Sequence, residues 1–410
     1  MKNKYIRDFI KNTKELAASQ FLIALILLIQ VAIVSRGLGT DGYGKAVLIT
    51  SLAAIVFRTL HARNSDVTIL LLKQNGKKVL INSMLFDFLI GLFGFLISSL
   101  FFLSSFNKYF GDYEYGLYLV IFLISKVFQT FSESAKAYLT FLGEFKQFAI
   151  VETISNILRF LILAILFFQN PTINNFLIGY ASYGFAYGLF SIWICKKDLN
   201  FSKLSLVEIK NFYNLYKKDY LKQRFDQIVG ILPQHFDVII LSVFTDYSTV
   251  GIFRIAKRLV EPVNYLISVF NPVVQNNLSN NLQNDTKKLV FQITLPITSF
   301  LVTVYIFFGR KIIEIIAGTE FLNSYDDLLI LLIGYMVYFN LFWTRQVLLF
   351  NSLIQYHALA RIVNTLTFLT VSWSLVPSIG SNGLAIALSV GMVIQKIIEY
   401  IYVSKTKKKP

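Results

Sequence analysis

Apolar runs of roughly 18 to 25 residues follow one another almost from end to end of this chain, and each can cross about 30 Å of hydrocarbon as a helix. The pattern predicts about twelve spans, at 16–35, 44–61, 79–103, 116–140, 146–168, 174–195, 222–244, 250–272, 289–309, 327–350, 358–377 and 382–403. The second is the weakest, because Arg58, His61, Arg63, Asn64 and Asp66 interrupt its end before Val67 to Leu72 resumes. It reads as a helix leaving the bilayer, followed by a short interfacial segment. No soluble domain fits between the spans.

Polar positions within these runs are not scattered. In the seventh span Gln223, Gln227, Gly230, Gln234 and Asp237 recur at spacings that place them on one side of a 3.6-residue helix. After the turn Thr245 to Thr249, Arg254, Lys257, Arg258, Glu261, Asn264 and Ser268 line one side of the eighth. A polar stripe on an otherwise apolar helix predicts a water-facing side within the protein. Pro233 removes a backbone hydrogen bond beside Gln234, His235 and Asp237, so a kink is expected there. The fourth span carries Lys126, Gln129, Glu133 and Lys136 on one face, and the fifth carries Glu152, Asn156 and Arg159. Glu133 and Glu152 can pair with these basic groups, which is the bland reading of both stripes.

Composition agrees with a polytopic membrane protein: 410 residues, 55% hydrophobic, 15% charged, with a mean hydropathy of +0.59. The net charge of +16 changes the picture only through its placement. Lys2, Lys4, Arg7, Lys11 and Lys14 precede the first span, Lys196 to Lys222 bound the longest gap, and Lys405, Lys407, Lys408 and Lys409 close the chain. This is the bias of cytoplasmic loops, so both termini are expected in the cytoplasm, and no soluble basic fold is present to hold nucleic acid. The first apolar segment lacks a cleavage site and is expected to remain as a membrane helix. A single cysteine, Cys195, excludes an intramolecular disulfide and a cysteine-based metal site.

Two stretches about 207 residues apart are alike: Ile33 to Gly44, containing Gly39-Thr40-Asp41-Gly42-Tyr43-Gly44, and Ile240 to Gly251, containing Asp246-Tyr247-Ser248-Thr249-Val250-Gly251. Each joins one apolar helix to the next. The offset divides the chain into an N-terminal six-helix lobe over 1–195, a basic cytoplasmic linker over 196–221 and a C-terminal six-helix lobe over 222–410. Tandem halves holding a substrate between them are a transporter device. The linker is expected to include an amphipathic surface helix through Leu206, Ile209, Phe212, Tyr213 and Tyr216.

Ionisable groups at membrane depth are costly, so they mark a pathway or a pair. At about 1.5 Å per residue from Thr249, Arg254 lies about 8 Å, Lys257 and Arg258 about 13 Å and Glu261 about 18 Å below the surface. Three cations and one nearby anion leave a positive excess, which favours an anionic substrate, phosphate foremost because arginine can grip it bidentately. The other reading is neutralisation by carboxylates on neighbouring helices. Catalysis has little support: the chain has no phosphate-loop motif, no nucleophile elbow and no histidine pair at metal spacing. No enzyme activity, metal or cofactor is expected.

Five motifs in order then point to a family: Arg36-Gly-Leu-Gly-Thr-Asp-Gly-Tyr-Gly44, Leu142-Gly-Glu-Phe-Lys146, Val250-Gly-Ile-Phe-Arg-Ile-Ala-Lys-Arg-Leu259, Phe308 to Phe321, and Val376 to Ala385. Over essentially its whole length the chain resembles a lipid-linked oligosaccharide flippase of the polysaccharide-transport branch of the multidrug/oligosaccharidyl-lipid/polysaccharide (MOP) exporters. The resemblance implies an all-α fold of two six-helix lobes around a central cavity lined by the first, second, seventh and eighth helices. Its cargo would be an undecaprenyl-diphosphate-linked oligosaccharide, moved from the cytoplasmic to the outer leaflet of a bacterial plasma membrane. Arg58, Arg224, Arg254, Lys257 and Arg258 are positions where the resemblance implies attraction of the pyrophosphate.

With Arg159, Gln227 and Gln234 from the polar faces, these form the candidate substrate-binding set; His235, Asp237 and Glu261 are candidates for ion or proton coupling. Membrane lipids, and polysaccharide polymerase and chain-length proteins, are the expected partners of a monomer. Two alternatives remain. A cation-coupled exporter of another small molecule would prefer an acidic cavity. A membrane-embedded polymerase or ligase needs outward loops longer than the roughly twenty residues that this pattern allows.

Overall fold

A computed structural model describes residues 2–61, 64–110, 116–199, 207, 210, 228–279, 283–351 and 353–406. The described residues fold into helices, with no strand: α1 (Lys2–Leu60), α2 (Asn64–Asn75), α3 (Val79–Phe110), α4 (Gly116–Leu142), α5 (Phe145–Gln169), α6 (Ile173–Cys195), α7 (Ile228–Phe244), α8 (Tyr247–Val260), α9 (Pro262–Ser279), α10 (Gln283–Ile316), α11 (Ser324–Asn340), α12 (Trp343–Phe350) and α13 (Ile354–Thr406). The expected linker helix and the start of the seventh span, Arg224 and Gln227 included, lie outside the described residues.

Helices run through the twelve expected spans, the seventh from Ile228 on, although they do not divide as the hydropathy does. Two apolar stretches, Ala18–Leu60 and Ile354–Lys405, are 43 and 52 residues long, each enough for two crossings. Each is broken at a glycine with positive φ, a conformation that L side chains avoid: Gly39 (φ 66°, ψ −176°) in α1 and Gly380 (φ 57°, ψ −131°) in α13. Within α13, a Cβ at Gly383 would meet Leu375, Gly391 abuts Asn364, and Glu399 accepts a hydrogen bond from His357. These pairs recede evenly from Gly380, so the two halves run antiparallel. The eighth span is split between α8 and α9, where Pro262 removes the N–H that would reach the Arg258 carbonyl.

The chain forms two compact units. The first comprises Met1–Gly37 and Ile49–Ile231. Here α4 packs on α3 and α6, and α5 on α6. The α4–α6 approach is close because Gly184 and Gly188, one turn apart, face the Ser125 and Phe128 carbonyls, a small-residue seam of the kind that joins helices in lipid. Cys195 is fully buried in an apolar cluster with Val67, Leu71, Leu80, Met84, Ala135 and Tyr138. Beside it, the buried Asp87 carboxylate accepts hydrogen bonds from Asn64 Nδ2 (2.7 Å) and from the Ser134 amide (3.1 Å) and hydroxyl.

The second unit comprises Leu38–Leu48 and Leu232–Pro410. Its polar centre is Glu399, fully buried, which accepts hydrogen bonds from Thr344 Oγ1 (2.6 Å), Lys396 Nζ (2.7 Å), His357 Nδ1 (2.9 Å) and Gln395 Nε2 (2.9 Å). The short stretch of α1 in this unit packs on α8, and it does so through the two halves of the sequence repeat. The Tyr247 carbonyl faces Gly44 and the Thr40 carbonyl faces Gly251, the same contact with roles exchanged, while Ser248 Oγ donates to Thr40 Oγ1 at 2.8 Å.

A methyl group at Gly44 or Gly251 would overlap those carbonyl oxygens, so the helices must part. Gly44→Ala and Gly251→Ala are each expected to cost about 1–3 kcal/mol, read as a lowered thermal unfolding midpoint of the protein in detergent. Gly116→Ala, where nothing lies within 4 Å of the new Cβ, serves as the unchanged control.

Candidate functional site

Two groups of cations lie at membrane depth, one in each unit, and their surroundings differ. The group in the second unit sits on α8, whose start is fixed by Asp246: its carboxylate accepts the Thr249 N–H at 2.8 Å as an N-cap. Hydrogen bonds from Thr249 hold the Asp246 carboxyl below the usual carboxylate range. From this start, Arg254, Lys257 and Arg258 follow on one side of the helix, with Arg254 and Lys257 buried.

Each of these three cations meets a carboxylate. Lys257 Nζ is paired with Asp237 of α7, a side chain with no solvent exposure, and also donates to the Gln234 carbonyl at 2.8 Å. The Val238 N–H, which a regular helix aims at that carbonyl, lies 2.8 Å from Asp237 Oδ1. Arg258 Nη1 donates to Glu261 Oε2 at 2.6 Å, and Arg254 Nη2 lies 3.7 Å from Glu261 Oε1. Three cations against two carboxylates leave one positive charge, a smaller excess than the pattern along α8 implies, because Asp237 reaches across from α7. Gln234 is exposed and His235 half-buried on α7.

Glu261 stands at the break between α8 and α9. It is followed by Pro262, and Tyr305 Oη donates to the nearby Leu259 carbonyl at 2.6 Å. The break therefore falls at the charged cluster, and a side chain from α10 satisfies one of the carbonyls beside it.

The group in the first unit is built on α5 and α4. Arg159 is buried, with 8% of its surface exposed. Its Nη2 donates to Asn156 Oδ1 at 2.8 Å, its guanidinium lies 5.1 Å from the Tyr180 ring and 4.8 Å from the Tyr183 ring, and among the described residues its Nε has no hydrogen-bond partner. Lys126 on α4 donates to Gln129 Oε1 at 2.9 Å and lies 5.3 Å over the Phe122 ring. The charges of Arg159 and Arg58 both act on Lys126. Arg58 itself is exposed near the end of α1.

The carboxylates that could have neutralised this group are engaged elsewhere or act only at longer range. Glu152 accepts a hydrogen bond from Gln20 Nε2 at 3.1 Å. Among the described residues no carboxylate lies within ion-pair distance of Lys126 or Arg159. Among the described residues these two cations have no carboxylate at ion-pair distance, and a cation held at membrane depth without one costs a few kcal/mol.

Of the sequence-derived set, Arg254, Lys257, Arg258, Asp237 and Glu261 are brought together, with Gln234 contributing its carbonyl. Arg58 and Arg159 belong to the other unit. Tyr180 and Tyr183 escape a reading based on hydropathy because tyrosine counts as apolar or as interface belt. Their spacing with Tyr187, at i, i+3 and i+7, is the signal that places them on one face of α6.

Removing the cation from the α7–α8 pair leaves Asp237 buried and uncompensated. Lys257→Met is therefore expected to destabilise the protein by about 3–5 kcal/mol, and the double variant Lys257→Met/Asp237→Leu to recover most of it, both read from unfolding in detergent.

The fold has solved counterparts. A lipid II flippase MurJ in an inward closed conformation is 16% identical, with a TM-score of 0.77 over 95% of this chain and 87% of that one. An inward-facing multidrug resistance MATE family transporter of the MOP superfamily is 14% identical, with a TM-score of 0.69 over 96% and 99%. A MOP superfamily transporter from Pyrococcus furiosus is 16% identical, with a TM-score of 0.66 over 97% of both chains. The chain matches no curated protein sequence. Residues 33–326, well over half the chain, match the family described as polysaccharide biosynthesis protein. With that match, the chain belongs to the polysaccharide biosynthesis protein family.

Proposed function

We propose that this protein is a flippase that carries an undecaprenyl-diphosphate-linked oligosaccharide repeat unit from the cytoplasmic to the outer leaflet of a bacterial plasma membrane. Family membership supports polysaccharide biosynthesis as the setting. The observation that carries the substrate class is the pair Lys126 and Arg159, which share a water-poor region with no carboxylate in ion-pair distance among the described residues. An oxyanion supplies the missing charge, and a diphosphate-linked lipid brings one to membrane depth.

In this reading Arg159 is a positioned oxyanion donor. Tyr180 and Tyr183 hold the guanidinium carbon 5.1 and 4.8 Å from their ring centres, and among the described residues its Nε has no hydrogen-bond partner. Lys126 adds a point charge, and Gln129 and Asn156 keep both cations oriented. Arg254 and Arg258 form a second anion-attracting pair in the other unit. Alternating access between an N-terminal lobe over 1–195 and a C-terminal lobe over 222–410, joined by the basic linker, moves the head group across. Both termini lie in the cytoplasm by the positive-inside bias, and the product passes to polymerase and chain-length proteins at the outer face.

Cells lacking the protein are expected to accumulate lipid-linked repeat units on the inner leaflet and to lose surface glycan, as read by mass spectrometry of extracted lipid and by surface labelling. Unpolymerised repeat units at the outer face would instead identify a polymerase. Arg159→Gln and Lys126→Gln are each expected to lower transport about tenfold or more, since a charge-assisted hydrogen bond contributes about 1.5–3 kcal/mol. Both variants should still reach the membrane in normal amount.

A further inference from the structure

Arg254 is 7% exposed; among the described residues its Nε has no hydrogen-bond partner and its one ionic contact is the 3.7 Å approach to Glu261. That distance is an ion pair without a hydrogen bond. Arg258, one turn further along α8, takes the other carboxylate oxygen at 2.6 Å. One planar carboxylate with two oxygens thus sits between two guanidinium groups and satisfies only one of them. A lipid-linked diphosphate, with two non-bridging oxygens on each phosphorus, can present an acceptor to each arginine and have others to spare.

From this mismatch we infer that Glu261 is a resident counter-ion occupying the oxyanion seat between Arg254 and Arg258, and that the substrate's phosphate must displace it. The inference rests on the diphosphate-lipid reading above and adds the competition to it. Glu261 is suited to leave. Its side chain is 22% exposed, and it is the last residue before Pro262, where the missing N–H interrupts the helix. Lys257 is held apart from the exchange by Asp237. When the phosphate enters, the bond that fastens the start of α9 to the last turn of α8 is exchanged for a bond to the substrate, so seat occupancy and the angle of that break become linked. While the seat is empty, the carboxylate faces the buried Arg254 and pairs with the half-buried Arg258, and it sets the affinity lower than the arginines would give without it.

The test uses the full-length protein in detergent with two soluble probes, inorganic diphosphate and farnesyl diphosphate, and reads binding by calorimetry. Glu261→Gln, which keeps the shape and removes the charge, is expected to bind both probes at least tenfold more tightly than the native protein. Glu261→Asp, which draws the charge back by one methylene, should give a severalfold gain and guards against a Gln variant that fails to fold. Adding Arg254→Gln should abolish the gain in either background. Equal or weaker binding by folded Glu261→Gln or Glu261→Asp overturns the inference, as does an absence of diphosphate binding in every variant. Because binding is read without transport, this outcome is separable from the flippase reading, which stands or falls on movement of lipid-linked glycan by the native protein.

Discussion

Helices surrounded by hydrocarbon gain little by hiding apolar side chains from lipid that is equally apolar, so their association must come from close backbone approach and from polar groups satisfying one another. Both devices recur in each unit. Gly184 and Gly188 admit the α4 carbonyls to α6, and Gly44 and Gly251 admit each other's neighbouring carbonyls between α1 and α8. The polar counterpart is Asp87 in one unit and Glu399 in the other, buried carboxylates surrounded by donors from separate helix segments. Such groups have no water to fall back on, so each is satisfied within its own unit or remains an unmet demand.

The unmet demands are the informative ones. Asp87, Glu399 and Asp237 are met by the fold itself. Arg159 and Arg254 are not: each is more than nine-tenths buried, and each has an Nε without a hydrogen-bond partner among the described residues. A folded chain that keeps such groups in place gains by binding something that completes them, and the partner we propose in both cases is an oxyanion. Two tyrosine rings lie close to the Arg159 guanidinium, and Arg254 shares the Glu261 carboxylate with Arg258.

The breaks in the helices share this logic. Gly39 and Gly380 end one crossing and begin the next, where positive φ allows the turn. Pro262 breaks a single crossing in its interior, directly after Glu261. A break in mid-span frees carbonyls that must be satisfied locally, and Tyr305 answers one of them at Leu259. Its coincidence with the ionic cluster makes the α8–α9 junction a place where charge and backbone geometry are coupled.

The sequence by itself determined the crossings, the repeat and the identities of the cations. Apolar length is a local property, and an apolar helix of sufficient length has only one stable place in a bilayer. The polar faces of α4, α5 and α8 were equally legible, since spacing along one helix decides which side a residue takes. Pairing was not. Only the tertiary structure decided that Asp237 turns to Lys257, that Glu152 accepts from Gln20, and that the two copies of the repeat meet in one reciprocal contact. Partners on different helices are chosen by packing depth and rotation, quantities that periodicity within a single helix does not contain. The same gap separated three arginines and lysines that looked alike on α8 from the pair on α4 and α5 that lacks a carboxylate within reach.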